Sequence, residues 1–262
     1  MGVITLTTDL GYRDFYQAAL KGSIISLLPD VRLFDISHEI PSFNIQNAAF
    51  ILQNAYHYFP KSTVHLIGID TVFQEGGSYL AMKYDGHYFV GANNGIFSII
   101  LGDDKAEELV EIEVMQDLRF LHFPLADILV KAACHIADGG NINELGSKIE
   151  EPLKKRPLLP IIENNHIIKG HVSYIDSFGN VISNISKDLF NQVQKGRNFT
   201  LFFKRNETIE KMSWHYNEVS EGEKLCLFGI SNYLEIAINK GHASNLLGLH
   251  QDETIMIKFL DN

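Results

Sequence analysis

Apolar positions along the first half of the chain switch repeatedly between a strand period and a helix period. Val3 to Thr7 (VITLT) is a short β-rich run, and after a turn at Asp9, Leu10 and Gly11 the apolar residues Phe15, Ala18, Ala19, Ile25 and Leu28 follow a helical pattern from about Asp14 to Leu28. The same order recurs. VRLFDIS from Val31 reads as a second strand, IQNAAFILQNAYHYF from Ile45 as a second helix ended by Pro60, and VHLIGID from Val64 as a third strand. Strands alternating with helices predict parallel βαβ units. YLAMKY and HYFVGA, joined by Asp85-Gly86, predict a hairpin that brings mixed pairing to a sheet edge. Ile96 to Leu101, Leu109 to Val114 and a helix from about Ala126 to Ala137 complete this half.

The pattern changes near Ile149. IEEPLKKRPLLP holds three prolines and the cations Lys154, Lys155 and Arg156 without a clear period, as an interdomain linker does. Beyond it β-like runs dominate: HIIKGHVSYID, NVISNIS, FTLFFKR, TIEKMSW, KLCLFGI and TIMIKFL. Helix is expected only at Lys187 to Val193 and in the Leu234 to Lys240 region, so the second domain is expected to be an antiparallel barrel or sandwich. The division is residues 1–150, a linker over 151–165, and 166–262.

Composition narrows the class. With 262 residues and 45% hydrophobic content the chain can bury a core without staples. Lys and Arg number 22 against 32 Asp and Glu, a formal charge of -10 that is not gathered in a tail, so nucleic acid is not an expected partner. Cys134 and Cys226 lie far apart in apolar segments, which suits reduced thiols and a cytoplasmic location. No apolar run approaches the length of a spanning helix, and the N-terminus lacks a secretory pattern, so no membrane association is expected.

Open α/β sheets bind ligands beyond the carboxyl ends of their strands, where loops and free N–H groups converge. Four places qualify here: Asp9 with Gly11, Asp35 with His38, Asp70, and Asn93 with Asn94 and Gly95. Each residue is also an ordinary turn former or cap, and Asp35 with His38 suits a structural hydrogen bond as well as a catalytic pair. A phosphate-cradling G-x-x-x-x-G-K-[ST], a dinucleotide fingerprint and G-x-S-x-G are all absent. The eleven histidines form no helical ligand pair, so a metal site is not expected. In the second domain YIDSFGNVISNI reads as a tight hairpin in which Gly179 and Asn180 supply positive φ. Phe178 at its tip can stack on a planar base and Asp176 can hold an ammonium or hydroxyl, so the hairpin is also a ligand clamp.

TTDLGYRDFYQAALKG, DISHEIP, the strand ending in Asp70, VGANNGIF, YIDSFGNVISNIS and LFGISNYLEIAINKGHAS together resemble, over nearly the whole chain, the S-adenosylmethionine (SAM) hydrolases that form adenosine. These are also called hydroxide adenosyltransferases, and the fluorinases and chlorinases are their relatives. The resemblance implies a three-layer, mostly parallel α/β domain followed by an antiparallel β-barrel, in a homotrimer whose sites lie at subunit interfaces. It implies SAM as substrate and no cofactor. By the same resemblance Asp9 meets the ribose hydroxyls, Phe178 and Asn180 line the adenosine side, and Asp176 and Ser231 approach the methionine amino group. The backbone around Ala243 meets the adenine edge, and Asn94 belongs to the same substrate-binding set. Asp70 stands where the hydrolases keep a water-orienting aspartate and the halogenases a tyrosine, which argues against halogenation.

The reacting half departs from the family pattern. V-D-P-G-V-G is replaced by Ile69, Asp70, Thr71, Val72, Phe73 and Gln74, the family arginine position is Gly77, and the histidine of T-F-H-G-R-D is Pro124. His122 lies two residues away from that position, and His122 or Arg119 is expected to serve if the loop shifts. Three readings stay open: a hydrolase in which Asp70 orients water, a catalytically silent binder of adenosine or SAM, or another nucleophile or adenosyl-type ligand in the same cleft, which Phe73, Pro124 and Leu125 would make more apolar.

Overall fold

The computed structural model describes residues 2–72, 77–204 and 207–260. Phe73 and Gln74, compared above with the family pattern, lie outside these described residues. The chain divides into two compact units, Met1–Pro157 and Leu158–Asn262.

The first unit is built on seven strands: β1 (Val3–Thr8), β2 (Arg32–Ser37), β3 (Val64–Gly68), β4 (Tyr79–Tyr84), β5 (His87–Ala92), β6 (Glu108–Ile112) and β7 (Gly146–Lys148), in the spatial order β2-β1-β3-β5-β4-β6-β7. β1, β2, β3 and β5 pair in parallel, while β4, β6 and β7 join by antiparallel pairs. β6 therefore runs with β1, and five of the seven strands share one direction. Helices α1 (Tyr16–Leu27), α2 (Ile45–Ala55), α3 (Ile96–Leu101) and α4 (Ile128–Ala137) cover the faces. Side-chain alternation sorts them. Leu66 and Val90 point to one core with Leu20, Ile24, Leu129 and Ala133, whereas Ile67 and Phe89 point to another with Leu52 and Phe97. β3 is buried on both faces along its whole length, with His65 the one polar side chain in an otherwise apolar strand.

Asp85 and Gly86 both take positive φ (48° and 67°), the two-residue turn that Asp-Gly favours. The hairpin it closes is not at the edge, as expected, but inside the sheet, because β5 docks against β3 and β4 against β6. Strand pattern alone carries no information on which neighbour an internal strand will choose.

The second unit holds β8 (Ile161–Glu163), β9 (Ile167–Ile175), β10 (Val181–Ser186), β11 (Phe199–Lys204), β12 (Glu207–Ile209), β13 (Lys224–Phe228), β14 (Tyr233–Ile238) and β15 (Thr254–Phe259), with helices α5 (Lys187–Gln194) and α6 (Ala243–Leu247). The order β12-β11-β15-β9-β10-β14-β13, with β8 beside β9, is antiparallel throughout. Met212, just past β12, bridges Cys226 of β13, so the sheet nearly closes into a barrel. Phe190 of α5 packs edge-on against Phe199, Phe228 and Phe259 in its core. Leu234 to Lys240, expected as helix, is strand β14 instead. Its helix-forming Leu, Glu and Ala are overridden by pairing to β10 on one side and β13 on the other.

Three histidines of the first unit, His38, His65 and His87, are fully buried. Thr5 Oγ1 lies 2.7 Å from His65 Nδ1, and His65 Nε2 lies 3.2 Å from His87 Nδ1. Burial holds all three below the ordinary histidine range, His65 down to about 3. The unfolded chain therefore binds more protons than the folded one between about pH 6.5 and pH 3, and stability falls as the pH is lowered through that window. Each such group changes the folding equilibrium by up to about tenfold per pH unit. The thermal midpoint is expected to drop steadily from pH 7 to pH 4, with a shallower slope in His65→Phe; equal slopes would contradict this origin.

Candidate functional site

Parallel pairing brings the ends of β1 and β3 together. Thr8 is in register with Gly68, and the Asp9 N–H still reaches the Gly68 carbonyl at 3.5 Å, so Asp9 leaves its strand beside the segment that carries Asp70. The two carboxylates are near enough for Asp70 to act on Asp9. Burial, then opposed by the Phe43 N–H donated to Oδ2 at 2.9 Å, pushes the Asp9 carboxyl above its usual range, with Asp70 adding to the rise. Among the described residues neither is paired with a lysine or arginine. The arrangement is a half-buried anionic corner that favours a cationic ligand.

Asp70 is a non-glycine residue with φ of 47°, a left-handed conformation that aspartate tolerates better than most. It is held there from both sides. The Asn94 amide donates to the Ile69 carbonyl at 2.9 Å, and the Tyr79 hydroxyl donates to the Thr71 carbonyl at 3.0 Å. Asn94 also accepts from the Ile96 N–H at 3.2 Å, so its side chain ties β3 to the start of α3. Burial pushes the Tyr79 hydroxyl up to about 12, so it stays a donor. Beneath the corner, Leu125 fills the space that a side chain at Gly68 would need, with Thr8 against the same point.

The loop that replaces the family's T-F-H-G-R-D is apolar where it meets the sheet: Pro124, Leu125 and Ala126 are all buried. His122 is exposed and has no hydrogen bond or ion pair to Asp70. Arg119 is 82% exposed and spends its guanidinium on Asp117 at 2.6 Å. Gly77 is exposed. The residues expected to reach Asp70 through a loop shift therefore lie at the surface.

In the second unit Asp176 organises the hairpin tip. Its carboxylate accepts from the N–H of Phe178 (3.0 Å) and of Asn180 (2.8 Å), and from the Asn180 amide (2.9 Å). Gly179 alone of the turn has positive φ, at 82°; Asn180, expected to share that conformation, does not, because it already begins the pairing into β10. A side chain at Gly179 would strike the His242 ring, and the Gly179 carbonyl accepts from the Ser244 N–H at 2.8 Å. The tip and the start of α6, including buried Ala243, are thus one piece, from which Phe178 projects 77% exposed. Ser231 accepts from the Tyr233 N–H at 3.4 Å.

Sequence reading passed over two residues. Phe43 has φ of 64° in the turn closed by the Asn44 N–H on the Pro41 carbonyl, donates its own N–H to Asp9, and is 68% exposed. Glu235 is buried in β14, its Oε1 accepting from the Tyr216 hydroxyl at 2.7 Å; burial pushes its carboxyl up, against the Tyr216 bond and with Asp176 adding to the rise. Pro41 opening a four-residue turn was the available sign for Phe43. Glu235 lies on the face of β14 opposite the core residues Leu234, Ile236 and Ile238, so alternation marks it as outward and gives no sign of its burial.

Asp176→Ala removes three bonds to one charged acceptor, and a loss of about 2 kcal/mol is expected. Thermal unfolding checks it, and an unchanged midpoint would contradict the structural role of this carboxylate.

Comparison with known proteins places this geometry. The SAM hydroxide adenosyltransferase N-terminal domain matches residues 4–146 and the C-terminal domain of the same description matches 170–256. An (R)-S-adenosyl-L-methionine hydrolase of Methanocaldococcus jannaschii is 30% identical over 281 residues, covering 98% of this chain and 96% of that protein. A fluorinase of Nocardia brasiliensis is 22% identical, over 71% of each. A crystal structure of an uncharacterized conserved protein from Thermotoga maritima superposes with a TM-score of 0.87 at 27% identity, covering 98% of this chain and 99% of that one.

Proposed function

This chain belongs to the SAM hydroxide adenosyltransferase family, and on that premise we propose that it hydrolyses S-adenosyl-L-methionine to adenosine and L-methionine. The observation that carries the reading is the pair of carboxylates, Asp9 and Asp70, at adjacent strand ends and, among the described residues, without a lysine or arginine of their own.

Water attacks the ribose 5' carbon, the bond from that carbon to the sulfonium breaks, and its electron pair returns to sulfur. Methionine departs as a neutral thioether, so the leaving group needs no acid; one proton is released from the attacking water. Such a step asks the protein for a positioned water and a site that favours a cation. Asp70 accepts a hydrogen bond from the water and attracts the sulfonium, and its left-handed backbone is fixed by the ties at Ile69 and Thr71. Leu125, packed against Gly68, makes the floor next to Asp70's strand apolar, and no water is expected to enter from beneath. With Gly77 and Pro124 at the family's arginine and histidine positions, Asp70 does this work without them.

Asp9 takes the ribose hydroxyls in this reading, and Asn94 acts by holding the strand end. Phe178, Asn180 and the backbone at Ala243 belong to the adenosine side, and Asp176 and Ser231 to the methionine amino group. What supports these assignments is the match of motif positions. A homotrimer and a cytoplasmic location complete the proposal; the two free, buried cysteines are in keeping with the latter, and among the described residues no helix is long and apolar enough to cross a membrane.

Incubation with SAM and chromatography is expected to show adenosine and methionine in equal amounts. Asp70→Asn is expected to lower kcat by roughly a hundredfold, the size of effect a positioned base supplies, and to raise KM as well, because the corner loses one of the two charges that attract the sulfonium. Absence of turnover in the wild type alongside tight binding of adenosine by calorimetry would replace the hydrolase by a silent binder. Light scattering in solution is expected to give the mass of three chains, and a monomer would overturn the trimer.

A further inference from the structure

Asp9 sits on a short loop whose two ends are gripped by one residue on another strand. His38, just past β2, is fully buried, as is Thr8. Its ring nitrogen Nδ1 lies 2.6 Å from Thr8 Oγ1, immediately before Asp9, and its main-chain carbonyl accepts from the Gly11 N–H at 2.7 Å, two residues after Asp9. Tyr12 packs edge-on against the imidazole with ring centres 5.2 Å apart.

Donor and acceptor roles along this chain follow from its far end. His38 Nε2 lies 3.1 Å from Asp35 Oδ1, an oblique and chiefly electrostatic approach, and Lys21 holds the other oxygen of Asp35 at 2.6 Å. A carboxylate beside Nε2 places the imidazole proton there, which leaves Nδ1 an acceptor. The Thr8 hydroxyl therefore donates to Nδ1, and its oxygen is left to accept the Leu10 N–H at 3.3 Å. Lys21, Asp35, His38 and Thr8 form a single oriented line that ends on the backbone of the Asp9 loop.

We propose that His38 is a positioning residue for substrate binding: through Thr8 and Gly11 it fixes the loop that presents Asp9 to the ribose hydroxyls. This rests on the reading of the site as an adenosyl site. Asp70, the residue assigned to the water, is held by a different set of ties, to Asn94 and Tyr79. Loss of the line is therefore expected in KM and in the affinity for adenosine, with kcat held within about twofold.

The test uses Thr8→Val, which deletes the hydroxyl at nearly constant shape, Thr8→Ser, which keeps it, His38→Leu, and the double variant Thr8→Val with His38→Leu. Adenosine affinity is read by calorimetry, KM and kcat by adenosine release, and folding by thermal unfolding. Thr8→Val and His38→Leu are each expected to weaken adenosine binding roughly three- to tenfold, the range of one lost hydrogen bond. Thr8→Ser is expected to restore wild-type affinity, and the double variant to be no weaker than the worse single one, because both changes cut the same line. A folded Thr8→Val that binds as the wild type does, or effects that multiply in the double variant, would overturn the inference while leaving the hydrolase reading intact. Failure of the wild type to bind adenosine or SAM would instead remove the functional reading and the inference with it.

Discussion

The parallel register of β1 against β3 is the constraint on which the first unit's site depends. Because Thr8 lies opposite Gly68 and the chains stay paired one step further, two aspartates far apart in sequence emerge from the sheet together. Carboxylates in a half-buried corner repel each other and each loses hydration, and that cost is visible in the raised Asp9 carboxyl. The fold offsets it at Asp9 with the Phe43 N–H, and it fixes the backbone around Asp70 with the side chains of Asn94 and Tyr79, which donate to the Ile69 and Thr71 carbonyls. A cationic sulfonium relieves the same repulsion, so the arrangement that is unfavourable when empty favours this class of substrate.

Departures from the family pattern take on a physical meaning in this setting. Leu125 packs against Gly68 and Pro124 beside it is buried, so the stretch aligned with T-F-H-G-R-D is part of the packed interior. Arg119 and His122 remain at the surface, the former paired with Asp117.

Much of this was legible beforehand, for identifiable reasons. Asp9, Asp70 and Asn94 could be placed because strand periodicity locates strand ends, and strand ends of a parallel sheet are where ligands bind. The hairpin at Asp85-Gly86 declared its turn but not its neighbours, since pairing partners are decided by tertiary packing. Leu234 to Lys240 looked helical for the same reason, its local preference outweighed by two flanking strands. Phe43 takes its left-handed backbone as the third residue of a turn closed by the Asn44 N–H on the Pro41 carbonyl, and its bond to Asp9 is a long-range contact that the turn makes possible. His38 illustrates the opposite case: its spacing from Asp35 was plain in the sequence, but Thr8, the residue that gives the pair a purpose, is thirty positions away.

The account stands on water being the nucleophile at the ribose 5' carbon under the guidance of Asp70. The direct measurement is turnover of SAM in water enriched in oxygen-18, with mass spectrometry of both products. One labelled oxygen in adenosine, at the 5' position, and none in methionine is the predicted result. Unlabelled adenosine, or label in methionine, would contradict it.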